Sequence, residues 1–165
     1  MEDAFGHHVW ATVRLIDTCL ALSPPQLETT VPGTYGSILG TMRHLVGADA
    51  WYLFDMTGEP DFRIDEERMD LRDLRAVMES NVDAWSRLLS GSPDPDLFLT
   101  ETDEGDGSNI RATMGIRLAQ AVHHGTDHRS QICTALTNLG VEPPAIDVWD
   151  FGEQNGRVVE IPPTP

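Results

Sequence analysis

Between Phe5 and Leu22 the apolar residues Phe5, Val9, Val13, Ile16 and Leu20 recur at intervals of four, four, three and four. That spacing lays them on one stripe of a helix. Ser23-Pro24-Pro25 ends it, because a residue preceding proline is pushed out of the helical region. Residues 26 to 36, with Pro32-Gly33 inside them, read as a loop that is long for a helix-to-helix connection. A second helix is predicted from Ser37, a good N-cap residue, to Met56, with Thr57-Gly58-Glu59-Pro60 as its stop. A third is predicted over residues 70 to 89, where Leu71, Leu74, Val77, Met78, Val82, Trp85 and Leu89 keep a 3.6-residue period and Gly91 and Pro93 follow. Its pattern marks it as scaffold.

The texture then changes. Residues 97 to 100 and 110 to 113 fit two short strands of a hairpin around the polar run 103 to 107. A fourth helix is predicted from Thr113 to Leu139, ending at Gly140. Residues 141 to 165 form a tail whose aromatic pair, Trp149 and Phe151, should pack back on the helices while the last few residues fray. The fold class is therefore all-α, with a possible β-hairpin between the third and fourth helices.

Composition narrows the function classes. The chain has 165 residues, enough for one domain that buries its own core without disulfides or a metal staple, so any bound metal serves function. Its 27 acidic residues face 11 basic ones, all arginine and scattered, for a net charge of -16. Nucleic acid and anionic membrane surfaces both demand a cationic stripe, and neither is expected as a partner. Cys19 and Cys133 have no CxxC spacing, which fits a reducing compartment. The acidic start lacks the pattern of a secretion signal, and no apolar run nears the roughly 18 residues needed to span a bilayer. A cytoplasmic location follows as an expectation.

Candidate chemistry lies in the histidines. His124 and His128, one turn apart on the fourth predicted helix, fall about 40° from each other on one face, the way a helix offers two imidazoles to one ion. His123 points about 100° away, and Cys133 lies on the opposite face. His44, set among apolar neighbours in the second helix, is the candidate third ligand, with His7 and His8 as competitors. Three histidines plus an open position is the donor set that leaves room for chemistry. Gln120 and Gln131 share the face of the pair, and Asp49, Asp55 and Asp127 are candidates to hold the imidazole tautomers. The chain has no GxSxG elbow, phosphate loop, HExxH or cysteine ligand set, which leaves serine hydrolysis, phosphoryl transfer and zinc proteolysis without support.

These segments resemble a known family. Residues 37 to 51, SILGTMRHLVGADAW, are similar to the first-histidine segment of the DinB/YfiT-like metal-binding four-helix bundles, and residues 124 to 132, HGTDHRSQI, to its HxxxHRxQ segment. The resemblance implies one bundle domain over 1 to 165 with a long cross-connection, metal ligands at His44, His124 and His128, zinc or nickel as the metal, and a homodimer. It also implies a low-molecular-weight thiol as co-substrate and transferase or isomerase chemistry on a small molecule. Ser130 stands where the family often has glycine, and no further catalytic residue is matched. Two functions follow as expectations: an enzyme in which the metal activates a thiol or water, with Arg43, Arg129 or Gln131 orienting the co-substrate, or a non-catalytic bundle that binds metal or a small ligand.

Overall fold

The computed structural model describes residues 1–102 and 107–161. Most of them are helical: α1 (Glu2–Cys19), α2 (Pro24–Leu27), α3 (Ile38–Thr57), α4 (Leu71–Ser90), α5 (Met114–Asn138) and α6 (Val148–Gln154). One two-stranded antiparallel sheet, β1 (Phe98–Thr102) and β2 (Asn109–Thr113), precedes α5, with Phe98 opposite Thr113. Six helices among the described residues exceed the four expected. The two extra ones are short, and each arises where a local signal was read as loop or tail: Pro24-Pro25 at the first turn of α2, and the Asp147 side chain accepting from the amides of Trp149 and Asp150 at the start of α6.

Three of the four long helices, α3, α4 and α5, begin on a side-chain cap. The Ser37 hydroxyl accepts from the Gly40 amide, Asp70 accepts from Arg72 and Asp73, and Thr113 accepts from Ile116. Gly58, at φ 72°, takes the left-handed conformation that closes α3.

In the bundle α1 packs on α4, α4 on α3, α3 on α5 and α5 on α1. Chain-successive helices are thus diagonal twice, from α1 to α3 and from α4 to α5. The first crossing uses residues 20 to 37, including α2, and the second uses residues 91 to 113, including the hairpin. One long cross-connection was expected and two are present.

The core fills the space between these helices, with Phe5 and Trp85 in tilted contact at 4.4 Å and Leu15, Ile16, Met42, Leu45, Leu53, Leu74 and Met78 fully buried. On α1 the buried stripe runs through Leu15 and Cys19, while Leu20 is exposed because the helix has already ended there. In the tail, Phe151 packs edge-on against Trp10 and His7, whereas Trp149 is 70% exposed, against the expectation that both would be buried. The expected fraying of the final residues concerns 162–165, outside the described residues. Among the described residues no helix is long and apolar enough to cross a membrane.

Candidate metal centre

The crossing of α3 and α5 brings His44, His124 and His128 together, with one ligand-capable nitrogen from each lying within 4.8 Å of the others. The Nε2 atoms of His44 and His124 are 3.0 Å apart, and the three rings meet edge to face at 4.4 to 4.9 Å between centroids. Tetrahedral coordination with bonds of about 2.1 Å separates ligand nitrogens by roughly 3.4 Å, so the imidazoles need only small shifts to share an ion. The donor set therefore fits a divalent transition metal.

Protonation favours the same use. Burial, then His128 and His44, push the His124 imidazole down to about 4. His44 is lowered by burial first and His128 second. Rings that resist protonation keep lone pairs available at neutral pH.

The residues that orient the rings are not the acids expected to do so. Asp49 bonds His8, and Asp55 pairs with Arg117. The exposed Asp127 accepts no hydrogen bond from the three imidazoles. The partner of His128 is instead Gln131, whose Oε1 accepts from Nδ1 at 3.2 Å. An amide oxygen only accepts, so Nδ1 carries the proton and Nε2 faces the cluster with its lone pair. The same Oε1 accepts from the Tyr35 amide at 2.8 Å. Tyr35, in the loop before α3, stacks on His44 at 4.1 Å and 11°, covering one face of the cluster. On the opposite flank, Gln120 donates to the Tyr52 hydroxyl, and the Tyr52 ring meets His124 edge-on at 5.7 Å. Tyr35 and Tyr52 carry no sequence pattern that marks them for a site.

The competing histidines serve elsewhere. His7 donates from Nε2 to the Ile146 carbonyl, tying α1 to the tail. His8 is buried beside the cluster in a polar network that joins four helices. Arg129 Nη1 donates to His8 Nδ1 at 3.0 Å, so His8 holds its proton on Nε2 and donates it to Asp49 Oδ1 at 2.8 Å. Asn81 donates to Asp49 Oδ2 at 2.7 Å, and the Trp85 indole reaches both carboxylate oxygens at 3.3 Å. Arg129 also donates to Thr12 and to the His8 carbonyl. The charges of Asp49 and Arg129 thus offset each other through a histidine, the condition for burying an ion pair. Burial, the larger influence, brings the Arg129 guanidinium down to about 10 against the Asp49 charge. Arg129 is 3% exposed, and it cannot orient a co-substrate as expected. Arg43 likewise bonds the Met69 carbonyl. Gly125 admits His8: a Cβ there would lie 2.3 Å from His8 Cε1.

A cavity of about 390 Å³ opens beside His44 and His124, walled by Trp51, Tyr52 and Phe62, with Glu66 and Arg63 on its remaining side. The hairpin supports this wall, since the Trp51 indole donates to Glu101 at 3.1 Å and Arg117 bonds both Glu101 and the Leu99 carbonyl. An ion at the cluster would meet small molecules from this side.

A mostly helical bundle that joins three histidines from two of its helices beside a cavity is a protein able to hold a metal. The chain belongs to the DinB family, whose sequence model matches residues 2–159. No curated protein matches it.

Proposed function

We propose that the protein is a metal-dependent enzyme in which His44, His124 and His128 hold one divalent transition metal, zinc or nickel, and that its reaction joins a thiol or water nucleophile to a small electrophile. The supporting observation is the convergence of three imidazoles, two of which, His44 and His124, line a cavity large enough for a small molecule. When bound, the metal lowers the pKa of a thiol or water so that its anion is available near neutral pH. The chain's own residues perform the rest. Gln131 fixes the His128 tautomer, and Tyr35 keeps water from one face of His44. Trp51, Tyr52 and Phe62 offer apolar surface to the substrate. Family membership agrees with a low-molecular-weight thiol as co-substrate and with transferase or isomerase chemistry.

Elemental analysis of protein purified without an affinity tag tests the metal, with one equivalent expected in the unaltered chain and a large loss in His128→Ala. Metal-loaded protein is then given thiols and a panel of electrophiles. Turnover that depends on metal and thiol, or on metal and water, supports an enzyme. Metal binding without turnover across the panel would favour a bundle that binds metal or a small ligand and does no chemistry.

A further inference from the structure

Glu66 opens a short 3₁₀ turn, Glu66–Arg68, on the segment that crosses in front of α3. Its side chain lies on Gly47, where a Cβ would stand 2.6 Å from Glu66 Cδ and 2.7 Å from Oε1. Only the missing side chain lets the carboxylate settle against the helix there. Gly47 is three residues beyond His44, and positions so spaced on a helix are neighbours about 5–6 Å apart. Glu66 and Gly47 line the same cavity as His44 and His124.

The carboxylate is also unoccupied by other duties. Among the described residues no hydrogen bond or ion pair engages it. Of the other acids, Asp49, Asp55 and Glu101 are held by His8, Arg117 and Trp51, and Asp127, next to His128 in the chain, is exposed and does not line the cavity. Three neutral imidazoles leave the charge of a divalent ion uncompensated in a partly buried site, where an adjacent anion gains most.

Resting on the metal reading above, we propose that Glu66, seated on Gly47, is the anionic partner of the metal centre. It stabilises the divalent ion held by the three histidines without being one of its ligands, and it presents an acceptor to a hydrogen-bearing molecule entering the cavity. It is a positioning residue, of the kind whose loss costs 10- to 100-fold in metal affinity.

The test is the zinc affinity of the untagged full chain, measured by competition with a chromogenic chelator, for the unaltered protein and for Glu66→Gln, Gly47→Ala and Glu67→Gln. Glu66→Gln keeps the shape and removes the charge, and about a tenfold or greater loss of affinity is expected. Gly47→Ala displaces the carboxylate while favouring helix, so a similar loss is expected with no fall in the melting temperature of the metal-free protein. Glu67→Gln, on an exposed neighbour, should leave affinity unchanged. Unaltered affinity in Glu66→Gln overturns the proposal, and unaltered affinity in Gly47→Ala alone overturns the seating role of the glycine. An equal loss in Glu67→Gln would also overturn it, since general acidity would then suffice. Failure of the unaltered chain to bind zinc would overturn the metal reading together with this one, a different result from retained binding in Glu66→Gln.

Discussion

Gly125→Ala is a change that simple propensity scores as favourable and the structure scores as damaging. Replacing glycine by alanine inside a helix ordinarily gains about 1 kcal/mol. At Gly125 the new methyl would stand 2.3 Å from His8 Cε1, 2.5 Å from His8 Nδ1 and 2.9 Å from Arg129 Nη1, so something must move. The imidazole is not the loose end of a flexible chain: it is 1% exposed and held on both sides, by Asp49 at 2.8 Å and Arg129 at 3.0 Å. Hydrogen bonds to charged groups contribute about 1.5–3 kcal/mol each, and losing both costs about 3–6 kcal/mol. The helix gain offsets about 1 kcal/mol of that, leaving a net loss of about 2–5 kcal/mol. For a chain of this size each kcal/mol moves the melting temperature by about 2–4 °C, so a drop of about 4–20 °C is expected. Circular-dichroism melts and urea titrations of the metal-free protein read it directly. A double-mutant cycle isolates the cause: once His8→Ala has removed the ring, adding Gly125→Ala should cost little more. An unchanged or raised melting temperature in Gly125→Ala would refute the reasoning.

Other outcomes follow from the same contacts. Zinc at 100 times its dissociation constant should stabilise the unaltered protein by about 2.7 kcal/mol, or about 5–11 °C in a thermal melt, and the shift should vanish in His128→Ala. Gln131→Ala should weaken zinc binding about tenfold or more, as the loss of a residue that orients a ligand does, measured by chelator competition. Arg117→Leu leaves Asp55 buried without its partner and should destabilise by about 3–5 kcal/mol in urea unfolding. The metal-free protein should lose stability as pH falls from about 6.5 toward about 4. Over that window the unfolded chain takes up a proton at His124 that the folded chain resists, and denaturant midpoints against pH in His124→Gln should show a shallower slope.

The elements most legible in the sequence were those with both a periodic apolar stripe and a chemical terminus. The Ser37 cap, the Gly58 stop, and the His124 and His128 pair on one face all reappear in the structure. The hairpin was readable too, displaced by one residue at the start and two at the end of its first strand and by one at the start of its second. What stayed hidden depends on which helices become neighbours. Asn81 is a polar residue inside the apolar stripe of α4, three positions after Met78 and four before Trp85, and it is 1% exposed because Asp49 from α3 offers it an acceptor. Asp49 itself was expected to serve a metal ligand, and it serves His8, which reaches it from the diagonal helix α1 while Asn81 and Trp85 of α4 hold the same carboxylate. Glu66 sits in an acidic run that gives no reason to prefer it over Asp65 or Glu67, and only the bare surface of Gly47 selects it.

One oxygen atom near the cluster ties two kinds of order together. Gln131 Oε1 receives the Tyr35 amide from the first crossing loop and the Nδ1 proton of His128. Turning that amide, or moving the His128 proton to Nε2, removes the acceptor from the loop or the donor from the ring. Loop position and imidazole tautomer are therefore two readings of one state. A tautomer-sensitive nitrogen shift of His128 and the amide exchange rate of Tyr35 should change in step across any series of variants or ligands that perturbs either one.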